Sequence, residues 1–140
     1  MTRVEPRVSA FQALYAADAV DTEAPETSEL GSRARDLTEG TLEHLADLDR
    51  EIAGAARGWR LERMPAVDRT ILRLALYELR HTDTPVGVVI SEAVEIAKVH
   101  STARSGGFVN GILGELAKGA SAEGASATEA SATERDGDQE

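Results

Sequence analysis

Glu78-Leu79-Arg80-His81 has the Glu-x-x-His spacing that dinuclear metal sites use in helical bundles. Such a site needs a second copy and further inward-facing carboxylates. The other histidines, His44 and His100, have no glutamate three residues before them. The chain has no cysteine, which excludes thiolate ligands, disulfides and a cysteine nucleophile. Ser105-Gly106-Gly107-Phe108-Val109-Asn110-Gly111 fits neither nucleotide-binding glycine pattern. Ser91 and Ser105 have no histidine–acid arrangement beside them in the sequence. These residues predict no catalytic site, no metal and no cofactor; what remains is the chemistry of binding.

Two sets of residues suit binding. Lys98, His100 and Arg104 stand close together just before Phe108. A basic loop beside an aromatic ring suits single-stranded RNA, whose bases can stack. Arg3 and Arg7 add basic groups near the start of the chain. The second set is acidic: Glu62 and Asp68, with Tyr15 as an apolar neighbour. Each set has a purely structural alternative. Phe108 can be a core residue and Lys98 can pair along its own helix. Asp68 can be a first-turn acid that favours the helix dipole, and Glu78 can pair with a basic side chain from another helix.

The elements that must position these groups are helical. From Val67 at 100° per residue, the apolar positions of Val67–Arg80 cover an arc of roughly 200°, too broad for a surface helix. This segment is predicted to be a central helix, with Arg69, Arg73 and Arg80 as a solvated stripe. Asp68 and Glu78 fall inside the apolar arc. Pro6 suits the start of an opening helix to about Ala19, leaving Arg3 on a flexible lead. Asp18–Glu29 is acidic, contains Pro25 and reads as a loop. Apolar positions from Leu30 to Ala55 predict two helices, the second capped by Asp47 and ended by Gly58. Thr84 and Pro85 open the next helix, and Ser105 caps the last. Its four glycines, 106, 107, 111 and 114, predict close backbone approach to a neighbour or ligand. No alternating strand pattern occurs, so the class is all-α, a compact bundle of about six or seven helices.

At 140 residues the chain suits one domain, placed at 1–118. Residues 119–140 are small and acidic and are expected to be a disordered tail, carrying six acids and one base. Half of the net charge of −10 thus lies outside the domain. That charge argues against a general polyanion binder, though a local basic patch fits. No apolar run is long enough to span a membrane and no secretory signal follows Thr2–Val8, so the expected location is cytoplasmic.

The blocks D-R-T-I-L-R-L-A-L-Y-E-L, P-V-G-V-V-I-S-E-A-V-E-I-A-K and S-G-G-F-V-N-G-I-L, with Gln12-Ala13-Leu14-Tyr15 upstream, resemble the NusB family of bacterial transcription antitermination factors. The resemblance covers most of residues 7–118. It implies a non-catalytic adaptor that binds the boxA segment of nascent ribosomal RNA together with ribosomal protein NusE, within the RNA polymerase antitermination complex. It places Arg3, Arg7, Gln12, Lys98, Arg104 and Phe108 on RNA, and Tyr15, Glu62 and Asp68 on NusE. Glu5 and Pro6 depart from the family's arginine-rich opening, which predicts a weaker RNA grip. The alternative reading is a protein-interaction or homodimeric helical module with little RNA affinity.

Overall fold

Every apolar side of the central helix finds a helix to cover it. The computed structural model describes residues 4–19, 30–57 and 60–129, with side chains described for 6–18, 30–57, 60–102 and 104–118. The order is α1 (Val4–Ala19), α2 (Ser32–Glu43), α3 (Leu45–Ala55), a single 3-10 turn (Leu61–Arg63), α4 (Ala66–His81), α5 (Val86–His100) and α6 (Ala103–Glu129). Helix α4 packs against α1, α2, α3, α5 and α6. Ile71, Leu72, Leu74, Ala75 and Leu76 are its buried contribution to the core. They meet Phe11 and Leu14 of α1, Leu37 of α2, Leu48 and Ile52 of α3, Val89 and Ile96 of α5, and Val109 and Leu113 of α6. Burying side chains of this size contributes roughly 1.5–3 kcal/mol each before entropy is counted. No helix among the described residues is long and apolar enough to cross a membrane.

Local chemistry shifts several expected boundaries. Helix α1 starts at Val4, so Pro6 lies inside the first turn, where its missing donor leaves no intrahelical bond unmade. The break between α2 and α3 falls at His44, and Asp47 lies in the first turn of α3 without capping it. Pro85, not Thr84, takes the cap position of α5; its carbonyl accepts from the N–H groups of Val88 and Val89. Thr102 caps α6 through Ser105 N–H···Oγ1 at 3.1 Å, leaving the Ser105 hydroxyl free to point elsewhere. Helix α6 continues past Lys118 to Glu129 where a disordered tail was expected from Gly119. Alanines 120, 122, 125 and 127 favour that continuation. Residues 130–140 lie outside the described residues, as do Arg3, residues 20–29 of the expected loop and Gly58, while Asp18 belongs to α1.

The arginine stripe of α4 is not solvated. Arg69 donates to Asp18 at 2.6 Å and to the carbonyls of Leu61 and Met64. Arg73 holds Asp49 through Nε and Nη2 at 2.7 and 2.9 Å, and Arg80 holds Glu51 at 2.6 Å. These half-buried pairs fasten α1, α3 and the 3-10 turn to the central helix. Only one of the four α6 glycines meets the expected close neighbour. A Cβ on Gly106 would lie 3.2 Å from the Lys98 side chain, while Gly107, Gly111 and Gly114 have open space. Among the described glycines the tightest is Gly40 in α2, against which the Tyr77 ring packs and leaves no room for a side chain.

Tyr77 also belongs to an aromatic stack. The His44 and His81 rings lie 4.0 Å apart, and Tyr77 lies 5.1 Å from His81. Burial, then the neighbouring His44, hold His81 below the usual histidine range, against the opposing pull of Glu51 and Asp47. The folded chain therefore prefers the neutral ring. The stability this gives is complete above the ordinary histidine pKa and is lost as pH falls through the lowered value. The melting temperature is expected to drop as pH falls below the ordinary histidine value of about 6.5, and to drop less in His81→Gln. Calorimetric melts across that fall in pH check it.

Candidate nucleic-acid interface and partner face

The end of α5 and the start of α6 form an exposed basic corner. Lys98, His100 and Arg104 are exposed, and so is Val99, at 68%. The stem of Lys98 runs across Gly106, which holds the α5 end against α6. Below the corner, hydroxyls replace apolar packing. Ser101 Oγ lies 2.9 Å from Ser105 Oγ, and the Thr102 hydroxyl lies 3.3 Å from it. Ser105 in turn donates to Asp68 Oδ2 at 3.2 Å. The corner reaches α1 through aromatic contacts. The His100 ring lies 5.1 Å from Phe11, and Phe11 stacks on Tyr15 at 5.9 Å. Gln12 is exposed on α1, next to Phe11 in the sequence. Phe108 is half-buried and walls a groove with Ala55, Arg57, Gly107, Gly111, Ile112 and Glu115.

Of the residues placed on RNA, Lys98, Arg104 and Gln12 are exposed and Phe108 borders a groove, while Arg7 stands elsewhere. Arg7 is 4% exposed and lies inside the bundle. Its Nε and Nη2 donate to Glu78 at 2.6 and 2.7 Å, and its Nη1 to Glu92. A guanidinium so engaged cannot reach a phosphate without leaving the core. Glu78, 1% exposed, is thereby used structurally, as its position in the apolar arc required. Among the described residues no group of three or more histidines and acids could hold a metal ion.

The acidic set separates in the same way. Tyr15 is 37% exposed and Glu62 is exposed on the 3-10 turn. The Glu62 carboxyl lies below its usual range because of a backbone hydrogen bond first, and then the charge of Arg60. Asp68 is only 3% exposed, so it does not stand on that surface. Burial pushes its carboxyl above the usual range, partly offset by the Ser105 hydrogen bond. In its place a cleft lined by Asp18, Asp49, Leu61, Glu62, Arg69 and Arg73 opens beside the 3-10 turn. Asp18 and Asp49 were not singled out in the sequence. The available signal was Arg69 and Arg73, four apart on a buried helix and in need of acids.

The model of the NusB family matches residues 4–118. The chain belongs to the NusB family. It is 45% identical to the transcription antitermination protein NusB of Symbiobacterium thermophilum, over 85% of this chain and 91% of that one. It is 40% identical to that of Anaeromyxobacter dehalogenans strain 2CP-1, over 84% and 91%. Among solved structures it is similar to T. maritima NusB, with a TM-score of 0.75, 34% identity and coverage of 84% and 92%. It is also similar to a chain in a complex of the antitermination factors NusB and NusE with double-stranded RNA, with a TM-score of 0.70, 25% identity and coverage of 85% and 99%. The all-α fold and the NusB resemblance read from the sequence are thereby established. The NusB-family blocks lie on the central post (α4), on α5, and on the turn of α6 that carries Phe108.

Proposed function

We infer that this chain is a transcription antitermination factor that binds boxA RNA of nascent ribosomal transcripts jointly with NusE, supporting RNA polymerase through ribosomal RNA operons. Residues 1–118 form the binding domain, and residues 119–140 are an acidic extension. Binding is the whole of its chemistry, and its location is the cytoplasm, where the transcript emerges. The observation that carries the reading is the exposed corner of Lys98, His100 and Arg104 on a chain of net charge −10. Tyr15 and Glu62, with the Asp18–Asp49 cleft, form the face for NusE. With Arg7 inside the core, RNA affinity of the chain alone is expected to be low and to rise with NusE.

Salt dependence tests the corner. Each phosphate contact on a single strand steepens the log–log dependence of affinity on salt by about 0.7. A Lys98→Gln/Arg104→Gln variant should therefore bind a boxA-type strand more weakly, with a slope shallower by about 1.4. Fluorescence anisotropy across a salt series, with and without NusE, measures both. Unchanged affinity and slope would remove the corner from the RNA site. The exposed Val99 and Tyr15 favour one second reading, a homodimeric module with little RNA affinity. Sedimentation velocity showing a dimer, together with no RNA binding in either condition, would establish it.

A further inference from the structure

The first turn of α4 sends two neighbouring side chains to two different surfaces. Arg69 ties the turn to Leu61, Met64 and Asp18, beside the cleft. Asp68 ties it to Ser105, beneath the basic corner. A serine hydroxyl has one proton to give and two lone pairs to accept with. Ser105 uses all three: it donates to Asp68 Oδ2, so the Ser101 hydroxyl at 2.9 Å and the Thr102 hydroxyl at 3.3 Å both donate to it. The direction of the whole cluster therefore follows from one acceptor. Ser101 and Thr102 are the entire connection between α5 and α6, and Thr102 also caps α6.

We propose that Asp68 is a positioning residue for RNA: by accepting the Ser105 proton it fixes the Ser101–Thr102–Ser105 cluster, and with it the angle at which Lys98, His100 and Arg104 are presented. The inference rests on the RNA-binding reading above and adds the residue that shapes that site from inside. Asp68 lies inside the bundle. It is 3% exposed, and its Oδ1 is buried with no protein hydrogen bond among the described residues. Burial raises its carboxyl, so the acid is held at a cost to the fold. A group kept at such a cost points to a role other than stability.

Asp68→Ala, Asp68→Asn and Ser105→Ala are the variants to compare, each melted to confirm folding. Anisotropy with a boxA-type single strand and calorimetric titration with NusE are the readouts. Asp68→Ala and Ser105→Ala are expected to weaken RNA binding about tenfold, the scale of one hydrogen bond to a charged group. Asp68→Asn retains an acceptor and should restore most of the affinity. NusE affinity should be unchanged in all three, a split that general loosening of the fold would not give. Hydrogen exchange of the amides of residues 101–105 should quicken in Asp68→Ala. The inference is overturned if Asp68→Ala binds RNA as wild type does, or if Asn fails as badly as Ala. It is also overturned if NusE affinity falls instead, because Asp68 would then be a partner contact. A wild-type chain that binds RNA under no condition overturns the function itself, and this inference with it.

Discussion

Glu78→Ala is expected to destabilise the fold by about 3–5 kcal/mol, the cost of leaving a buried ion without its partner. For a chain of this size that corresponds to a melting temperature lower by roughly 10 °C or more. The loss comes from Arg7. Its guanidinium is buried, and two of its nitrogens are held by Glu78. Without that carboxylate, Glu92 is left to hold the charge from the other side. Arg33, half exposed, stands 3.6 Å from Glu78 and loses a partner as well. A double change, Arg7→Met with Glu78→Leu, should recover most of the stability, since a buried pair is often matched by apolar residues of similar volume. Calorimetric melts of the single and double variants decide it. A Glu78→Ala variant that melts with wild type would show that the guanidinium is not held inside.

Asp68→Lys is expected to fail as a fold before it can be tested as a binder. An ammonium at a 3% exposed position, facing hydroxyls, costs roughly 3–5 kcal/mol as a buried charge without a partner. A surface acid at a partner face would give the opposite result, a normal melt with lost NusE affinity. Asp68→Asn, by contrast, should melt above wild type at neutral pH. The wild-type carboxyl is raised by burial, so the native state binds its proton more tightly than the unfolded chain does. Its penalty is therefore present above the raised pKa and vanishes as pH falls below the ordinary carboxylate value of about 4. The gap between Asn and wild type should close over that descent. A constant gap would mean that the carboxyl titrates as an exposed one.

The contrast between Asp68 and Arg7 shows what a sequence can reveal about this fold. The central helix was legible because its apolar arc was too wide for one neighbour, and the acids inside that arc were visible as oddities. Their positions alone pointed to burial, which is where both lie. Family resemblance drew Asp68 outward, since an acid at that position was expected to meet a partner. Arg7 was illegible for a different reason. An arginine in a helix's first turns looks like a surface cation. What buries it is Glu78 and Glu92, 71 and 85 residues away, and no local pattern carries that distance. The caps show the same limit on a small scale. Thr102 and Ser105 are equivalent as letters, and only which hydroxyl reaches which N–H separates them. The basic corner was readable because Lys98, His100, Arg104 and Phe108 stand close together in the sequence. Its hydroxyl underside was not, because serines and a threonine in a loop carry no sign of what lies below them.

The pairing of Arg7 with Glu92 also sets a schedule. A ribosome adds about 5–20 residues per second, so the 85 residues between the two take about 4–17 s to emerge. Until Glu78 follows, α1 is outside the ribosome with an apolar face and an unmatched cation at its start, and until Glu92 follows that cation is held from one side only. The first helix made is thus among the last to be locked, and closure of the bundle must await synthesis of α5. A nascent chain arrested before Glu92 would hold α1 loosely and expose it to proteases, and one arrested after α5 clears the exit tunnel would not.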